Sequence, residues 1–253
     1  MKNATSIKVF LAVSVFVIMT GACSKKGDFD QSLFYPNVLV TVKTADNGDC
    51  FLQLDDKVTL KPINLLTPPY KKEVRALARV SKVEKDGKPY NHAVHVHWMD
   101  SIRTKPAVPT AGDENDKKFG TAPLEIINNW VTVLEDGYLT ISFYGMWGES
   151  GKVHYMNLLT GVNPTDPFEV ELRHDSNGDL VNGYGRRAMG IIAFKLPESL
   201  KPSGENKKLK VKYRSFSGEK TVTFEFNNTK AAAGDLPEKS GNVPKRENRG
   251  AVR

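Results

Sequence analysis

"NVLVTVKTADNGDCFLQL", residues 37–54, decides the fold. Successive side chains on a strand point to opposite faces, so Val38, Val40 and Val42 share one face. Asn47-Gly48 follows, a pair that tolerates the positive φ of a tight hairpin turn. "CFLQL" then returns with an alternation of its own. Two short alternating runs joined by such a turn read as a β-hairpin.

The same texture runs along the chain. "KVTLKPIN" from Lys57 reads as a third strand. "EVRALARVSKVEK" (73–85) has mixed periodicity, but the Asp86-Gly87 turn and the strand after it make it one arm of a long hairpin. Its partner is "YNHAVHVHWM" (90–99), in which a regular strand puts His95 and His97 on one side and Val94, Val96, Trp98 and His92 on the other. "RTKPAVPTAGDENDKKFG" (103–120) is rich in proline, glycine and charge and reads as a linker. β patterning then resumes. "NWVTVLEDGYLTISFYGMW" (129–147) makes two strands around Asp136-Gly137, and "KVHYMNLLTG", "FEVELRHDSNGD" and "GIIAFKLP" follow. "KLKVKYRSFSGEKTVTFEF" (208–226) is a hairpin with Leu209, Val211, Tyr213, Val222, Phe224 and Phe226 facing inward. Long helical periodicity is absent. The fold class is all-β, with about seven strands in the second half, as in an antiparallel β-sandwich.

The N-terminus is an export signal. Lys2 and Lys8 precede the apolar run "VFLAVSVFVIM" (9–19), then "TGAC" (20–23). That run is about half of the ~20 residues a membrane span needs. A cysteine directly after small residues resembles a bacterial lipobox, which implies cleavage before Cys23 and acylation of its sulfur and new amine. Two or more acyl chains anchor a protein stably where one does not. The expected membrane is the outer membrane; the face, periplasmic or surface, stays open, because Lys25 and Lys26 come before Asp28 and Asp30 where an acidic run would mark surface export.

The 253 residues carry a formal charge of +7. The stretch from Lys230 to Arg253 contributes six basic and three acidic residues, with few apolar ones, and reads as a disordered basic tail. Export argues against a nucleic-acid partner; the expected contacts are the membrane, through the anchor, and a protein or glycan. With Cys23 lipidated, Cys50 has no disulfide partner and is expected as a buried thiol in its strand.

Candidate sites are few. His95 and His97 have a metal-binding geometry, with His92, Asp100 or Asp56 as a third ligand; the competing reading is a solvated strand face. His154 and His174 lie on strands that can pair them, a hydrogen-bonded pin between strands rather than catalytic machinery. Asp175, Asn177 and Asp179 begin like a calcium loop, but the required later glutamate is missing. Arg186 and Arg187 beside Tyr184 suit an anion, or simply a loop. Serine-nucleophile and His-Glu-x-x-His motifs are absent from the sequence, no catalytic residue is expected, and no cofactor is implied. Trp130 is expected in the core, whereas Trp147, between Gly145 and Gly148, and Tyr144 are the expected ligand contacts for a sugar or a partner side chain.

"DGYLTISFYG" (136–145), "GKVHYMNLL" (151–159), "VELRHDSNGD" (170–179) and "GIIAFKL" (190–196), behind a lipobox and a small β segment, resemble the NigD-like family of Bacteroidetes lipoproteins. The resemblance reaches to about Phe226 and leaves out the basic tail. It implies an N-terminal OB-like barrel, a C-terminal β-sandwich, no assigned catalytic residues and a bacteriocin-immunity role. The expected organisation is a signal peptide (1–22), a lipid-anchored tether (23–34), an OB-like domain (35–105), a linker (106–120), a sandwich (121–228) and the tail (229–253). The function expected is a non-enzymatic binding or structural role in the cell envelope. The alternatives are a glycan-binding accessory lipoprotein and a metal-dependent enzyme built on His95 and His97.

Overall fold

The computed structural model describes residues 35–148, 150–179, 185–200 and 207–226. The predicted signal peptide, Cys23, the tether, Tyr184 and the basic tail lie outside these residues.

Five strands form a closed barrel: β1 (Val38–Thr44), β2 (Cys50–Gln53), β3 (Thr59–Pro62), β4 (Val74–Lys82) and β5 (His92–Ser101), in spatial order β1-β2-β3-β5-β4. The opening hairpin is present, with Thr44 opposite Cys50. Its turn uses Gly48 alone at positive φ (86°) rather than both turn residues. Val38, Val40, Val42, Cys50, Leu52, Val74, Ala76, Val94 and Val96 fill the barrel. Burial raises the Cys50 thiol pKa, as suits a structural cysteine.

One face switch departs from the regular strand expected over 90–99. Val80 pairs with Val96 but Arg79 pairs with Trp98, so His97 is an extra residue on β5. A bulge of this kind moves every later side chain to the opposite face. Trp98 therefore leaves the valine side and packs outside the barrel, while Met99 turns towards the barrel core.

The segment read as a linker is structured and belongs to the sandwich. β6 (Arg103–Pro106) pairs in parallel with Ile192–Lys195, and β7 (Val108–Pro109) with Leu159 and Thr160. A short helix α1 (Asn115–Phe119) follows and buries Phe119. Prolines are compatible with edge strands, because an edge leaves one row of N–H groups unpaired anyway. Lys105 on β6 donates to Met156 O at 2.9 Å and to Asn157 Oδ1 at 2.8 Å, and burial lowers its pKa.

The remaining strands are β8 (Glu125–Ile126), β9 (Val133–Glu135), β10 (Tyr138–Trp147), β11 (Tyr155–Thr160), β12 (Glu169–Asp175), β13 (Arg186–Lys195), β14 (Lys208–Ser215) and β15 (Gly218–Glu225). One five-stranded sheet runs β6-β13-β10-β8 with β9 also on β10; the other runs β15-β14-β12-β11-β7. Asp136 (φ 51°) and Gly137 (φ 72°) form the two-residue turn between β9 and β10. Leu139, Ile141, Phe143 and Trp147 point from β10 into the core between the sheets, meeting Leu158, Leu172, Val211 and Phe224. Phe143 has room only because Gly190 lies opposite it; a Cβ there would come within 2.5 Å of the ring.

The other face of β10 meets the barrel. Leu39, Leu77 and Ile102 pack on Val131, Ile191 and Ala193, flanked by Trp98 and Trp130. Trp130 is therefore half-buried in this seam rather than inside the sandwich. At the centre of the seam Arg75 is fully buried. Its guanidinium donates to Thr41 Oγ1 at 3.0 Å, to Thr140 Oγ1 at 3.4 Å and to Glu135 Oε1 at 2.5 Å. Removing one member of such a pair leaves an uncompensated buried charge, which costs about 3–5 kcal/mol. Denaturant unfolding of Arg75→Ala should therefore show a loss of that order, with Glu135→Ala similar. A well-packed Arg75→Met, Glu135→Leu double variant should recover most of the loss.

Candidate functional site

The polar chemistry of the described residues concentrates at one end of the sandwich, where β10 stops and the β11 and β12 ends meet. His174 lies on β12, opposite Met156, and points into the core; His154 immediately precedes β11. His154 is fully buried and His174 is 2 % exposed. His154 Nδ1 and His174 Nε2 are 2.7 Å apart. This is the strand-pinning pair expected from the sequence.

Three partners extend the pair. His174 Nδ1 is 3.2 Å from the Pro123 carbonyl. His154 Nε2 is 3.1 Å from Asp179 Oδ2. Trp147 stacks on the His154 ring with centroids 4.3 Å apart and planes 9° from parallel. Asp179 also accepts from Gly148 N at 2.7 Å and from the Ser150 hydroxyl. The Ser150 hydrogen bond, helped by His154 and Gly148, lowers the Asp179 pKa and keeps it anionic. Burial lowers the pKa of both histidines, that of His174 to about 4. A serine, an aspartate and two histidines are thus together, but the serine bonds the aspartate and not a histidine. The order required for nucleophile activation is absent from this cluster.

Trp147 contradicts its expected role. It is 4 % exposed and packs on His154, His174 and Phe143, so it offers no surface to a ligand. Strand parity was the missed signal: residues 139, 141, 143, 145 and 147 share a face, and Gly145 supplies the space over which the indole folds back. Tyr144, on the opposite face, is half-buried under the Arg187 guanidinium, 4.4 Å from its ring centre, and stacks with exposed Phe216 at 5.9 Å. Arg187 therefore sits on an aromatic ring. The would-be calcium oxygens diverge, because Asp179 turns inward while Asp175 Oδ1 accepts from Asn177 N at 2.7 Å within its own turn.

His95 and His97 do come together, with ring centroids 4.9 Å apart, on the outside of the barrel. His97 is exposed and its Nε2 contacts Ser81 Oγ at 3.0 Å; His95 is half-buried. Among the described residues no group of three or more His, Cys, Asp or Glu side chains could hold a metal ion. Asp56, proposed above as a third ligand, instead accepts from Asp136 N at 2.7 Å.

A cleft of about 520 Å³ opens beside the barrel–sandwich seam, between Lys43, Asp56, Glu73, Asp136, Lys195 and Phe226. Much of its charge is spent internally. Lys43 pairs with Asp136 at 2.7 Å, Lys195 with Glu73 at 3.2 Å, and Glu73 also accepts from Tyr138 Oη.

Comparison with known proteins agrees with this architecture. The NigD-like N-terminal OB domain matches residues 39–102 and the NigD-like C-terminal β-sandwich domain matches residues 106–226. The chain belongs to the NigD-like family. A toxin-related protein of known structure from Parabacteroides distasonis is 28 % identical, with a TM-score of 0.62 over 76 % of this chain and 93 % of its own. A protein of unknown function from Bacteroides vulgatus has 21 % identity and a TM-score of 0.62 over 76 % and 91 % of the two chains. A NigD-like immunity protein from Bacteroides caccae has 19 % identity and a TM-score of 0.47, over 75 % and 92 %. No curated protein matches. The family boundary at residue 106 also puts the segment 106–120 in the sandwich.

In this NigD-like protein the cluster makes its own demand on glycine. A Cβ at Gly145 would lie 2.9 Å from the Trp147 ring and 3.5 Å from His174 Cε1. Gly145→Ala should therefore displace the indole and cost on the order of 1–3 kcal/mol, the range for overpacking. Near-UV circular dichroism and urea unfolding check this. An unchanged aromatic spectrum would contradict the packing described.

Proposed function

We propose that this NigD-like protein is a lipid-anchored, non-enzymatic binding protein of the cell envelope, of the immunity type. The observation that carries the binding reading is the state of its most chemically equipped cluster. His154, His174 and Asp179 are closed off from solvent, and their polar atoms face one another or neighbouring backbone and side chains. A substrate has no reactive atom there to meet. Recognition of a protein needs only a surface, held rigid here by a closed barrel and a sandwich packed together. The toxin-related description of the 28 % identical neighbour is consistent with this class of function.

Attachment rests on the N-terminal sequence. "TGAC" ending at Cys23 supplies the acylation point, and the outer membrane is the membrane proposed for it. Among the described residues no helix is long and apolar enough to cross a membrane. A protein bound near the bilayer by its N-terminus would present the barrel and sandwich to a toxin arriving at that surface.

A second reading draws on the Tyr144–Phe216–Arg187 array, in which an exposed aromatic and a guanidinium offer faces suited to a sugar ring. Glycan-array binding lost in Phe216→Ala would favour it over protein recognition.

The test of the main proposal has two arms. Detergent phase partitioning should place the native protein in the detergent phase and Cys23→Ser in the aqueous phase, with mass spectrometry finding acyl groups on Cys23. Affinity capture from envelope extracts should then return one stoichiometric protein partner. An unmodified thiol at position 23 would defeat the anchor. Capture of no partner, together with turnover of an envelope metabolite, would defeat the binding role.

A further inference from the structure

We propose that His174, His154 and Asp179 form an acid-sensitive latch that holds Gly148, Ser150 and the Asp175–Asp179 turn against the end of the sandwich and releases them on proton uptake. The argument begins with counting protons. The chain of contacts runs from the Pro123 carbonyl through both imidazoles to Asp179 Oδ2, at 3.2, 2.7 and 3.1 Å. Both ends only accept. Three hydrogen bonds need three protons on the ring nitrogens, and two neutral imidazoles carry two. With both rings neutral, one contact has no hydrogen in it.

Asp179 decides which. Anionic and bonded by Ser150 and Gly148, it holds a proton on His154 Nε2. His154 Nδ1 is then bare and accepts from His174 Nε2–H. His174 Nδ1 is left bare against the Pro123 oxygen, two lone pairs facing at the longest distance in the chain. A third proton, taken from solvent, would complete the chain but would place a cation at a site that is 2 % exposed.

The charged surroundings do not reverse that cost. Asp179 and the adjacent Asp175 favour a proton on His154, and Asp175 favours one on His174, while His154 disfavours it. Lys152 lies across the mouth, its Nζ on Gly178 O at 3.0 Å. Arg173 points to the opposite face of β12, paired with Asp116 and Glu171. From β10 comes only the uncharged Trp147, and from the 122–123 segment only backbone. Burial remains the largest influence on both rings, and His174 stays neutral down to about pH 4 while the latch is shut.

The sign follows. Once the latch opens to water, the histidines return to a pKa near 6.5 and bind protons that the closed form refuses. A depressed histidine pKa therefore contributes closure that is fully present above pH 6.5 and is lost as the pH falls towards about 4. From His174 alone, the equilibrium constant for opening should rise about thirty-fold between pH 7.5 and pH 5.

Native-state hydrogen exchange at the Gly148 amide, which donates to Asp179, reads the opening directly. After correction for intrinsic exchange rates, the full chain should show that rise at Gly148 while barrel amides such as Val40 stay constant. In His174→Gln the rise should shrink markedly. A flat Gly148 profile, or one that tracks the barrel, would overturn the proposal. Imidazole nitrogen-15 shifts of the wild-type protein provide a second measurement should His174→Gln fail to fold. They should show both rings protonated at Nε2 and neutral at pH 7.5. A ring already charged in the closed state at pH 6.5 would equally overturn it.

Discussion

A guanidinium with no access to solvent sits where the two halves of this protein meet, and the architecture is arranged around that fact. Arg75 leaves β4 on the outside of the barrel and finds its counter-charge on Glu135 of β9, its remaining partners being Thr41 and Thr140. A buried ion pair is weak evidence of net stability, because desolvation offsets much of its attraction. Its specificity is stronger: any other docking of barrel on sandwich would strand a charge. The apolar seam around it, from Leu39 and Leu77 to Ile191 and Ala193, supplies non-directional adhesion, and the ion pair supplies registration.

β10 serves both interfaces. Its inward residues build the sandwich core, while Tyr138 and Thr140 on the other face reach Glu73 and Arg75 of the barrel. A strand buried on both faces along much of its length cannot move without disturbing both domains. Its far end is different. There Trp147 leaves the reach of the barrel and closes on two histidines, so the polar cluster occupies the part of β10 that is anchored from one side.

Much of the fold was legible because the relevant signals are local. Val38, Val40 and Val42 point into the barrel as their alternation requires, and Leu209, Val211 and Tyr213 do the same in the sandwich. The pairing of His154 with His174 was legible for the same reason, since His174 lies on a short strand and His154 continues the inward parity of Met156 and Leu158 at the start of another. Other features were hidden. Residues 103–109 look like a linker because prolines and charges signal loops, yet edge strands tolerate both. Trp98 changed faces because one extra residue bulged out of β5, and no composition marks a bulge. Trp147 was misplaced because neighbouring glycines suggested exposure, when Gly145 is small in order to receive the indole.

The sequence by itself determined which segments are extended, where most of them turn and which side of each faces a core. These follow from side-chain period, turn chemistry and hydropathy, which act over a few residues. Tertiary structure alone decided that the second face of β1 and β4 is buried against another domain, that Arg75 meets Glu135 sixty residues away, and that Asp179 turns inward to complete a histidine pair. Those outcomes depend on which surfaces exclude water from one another and on which buried charge finds its counter-charge. Neither is written in any short stretch of the chain.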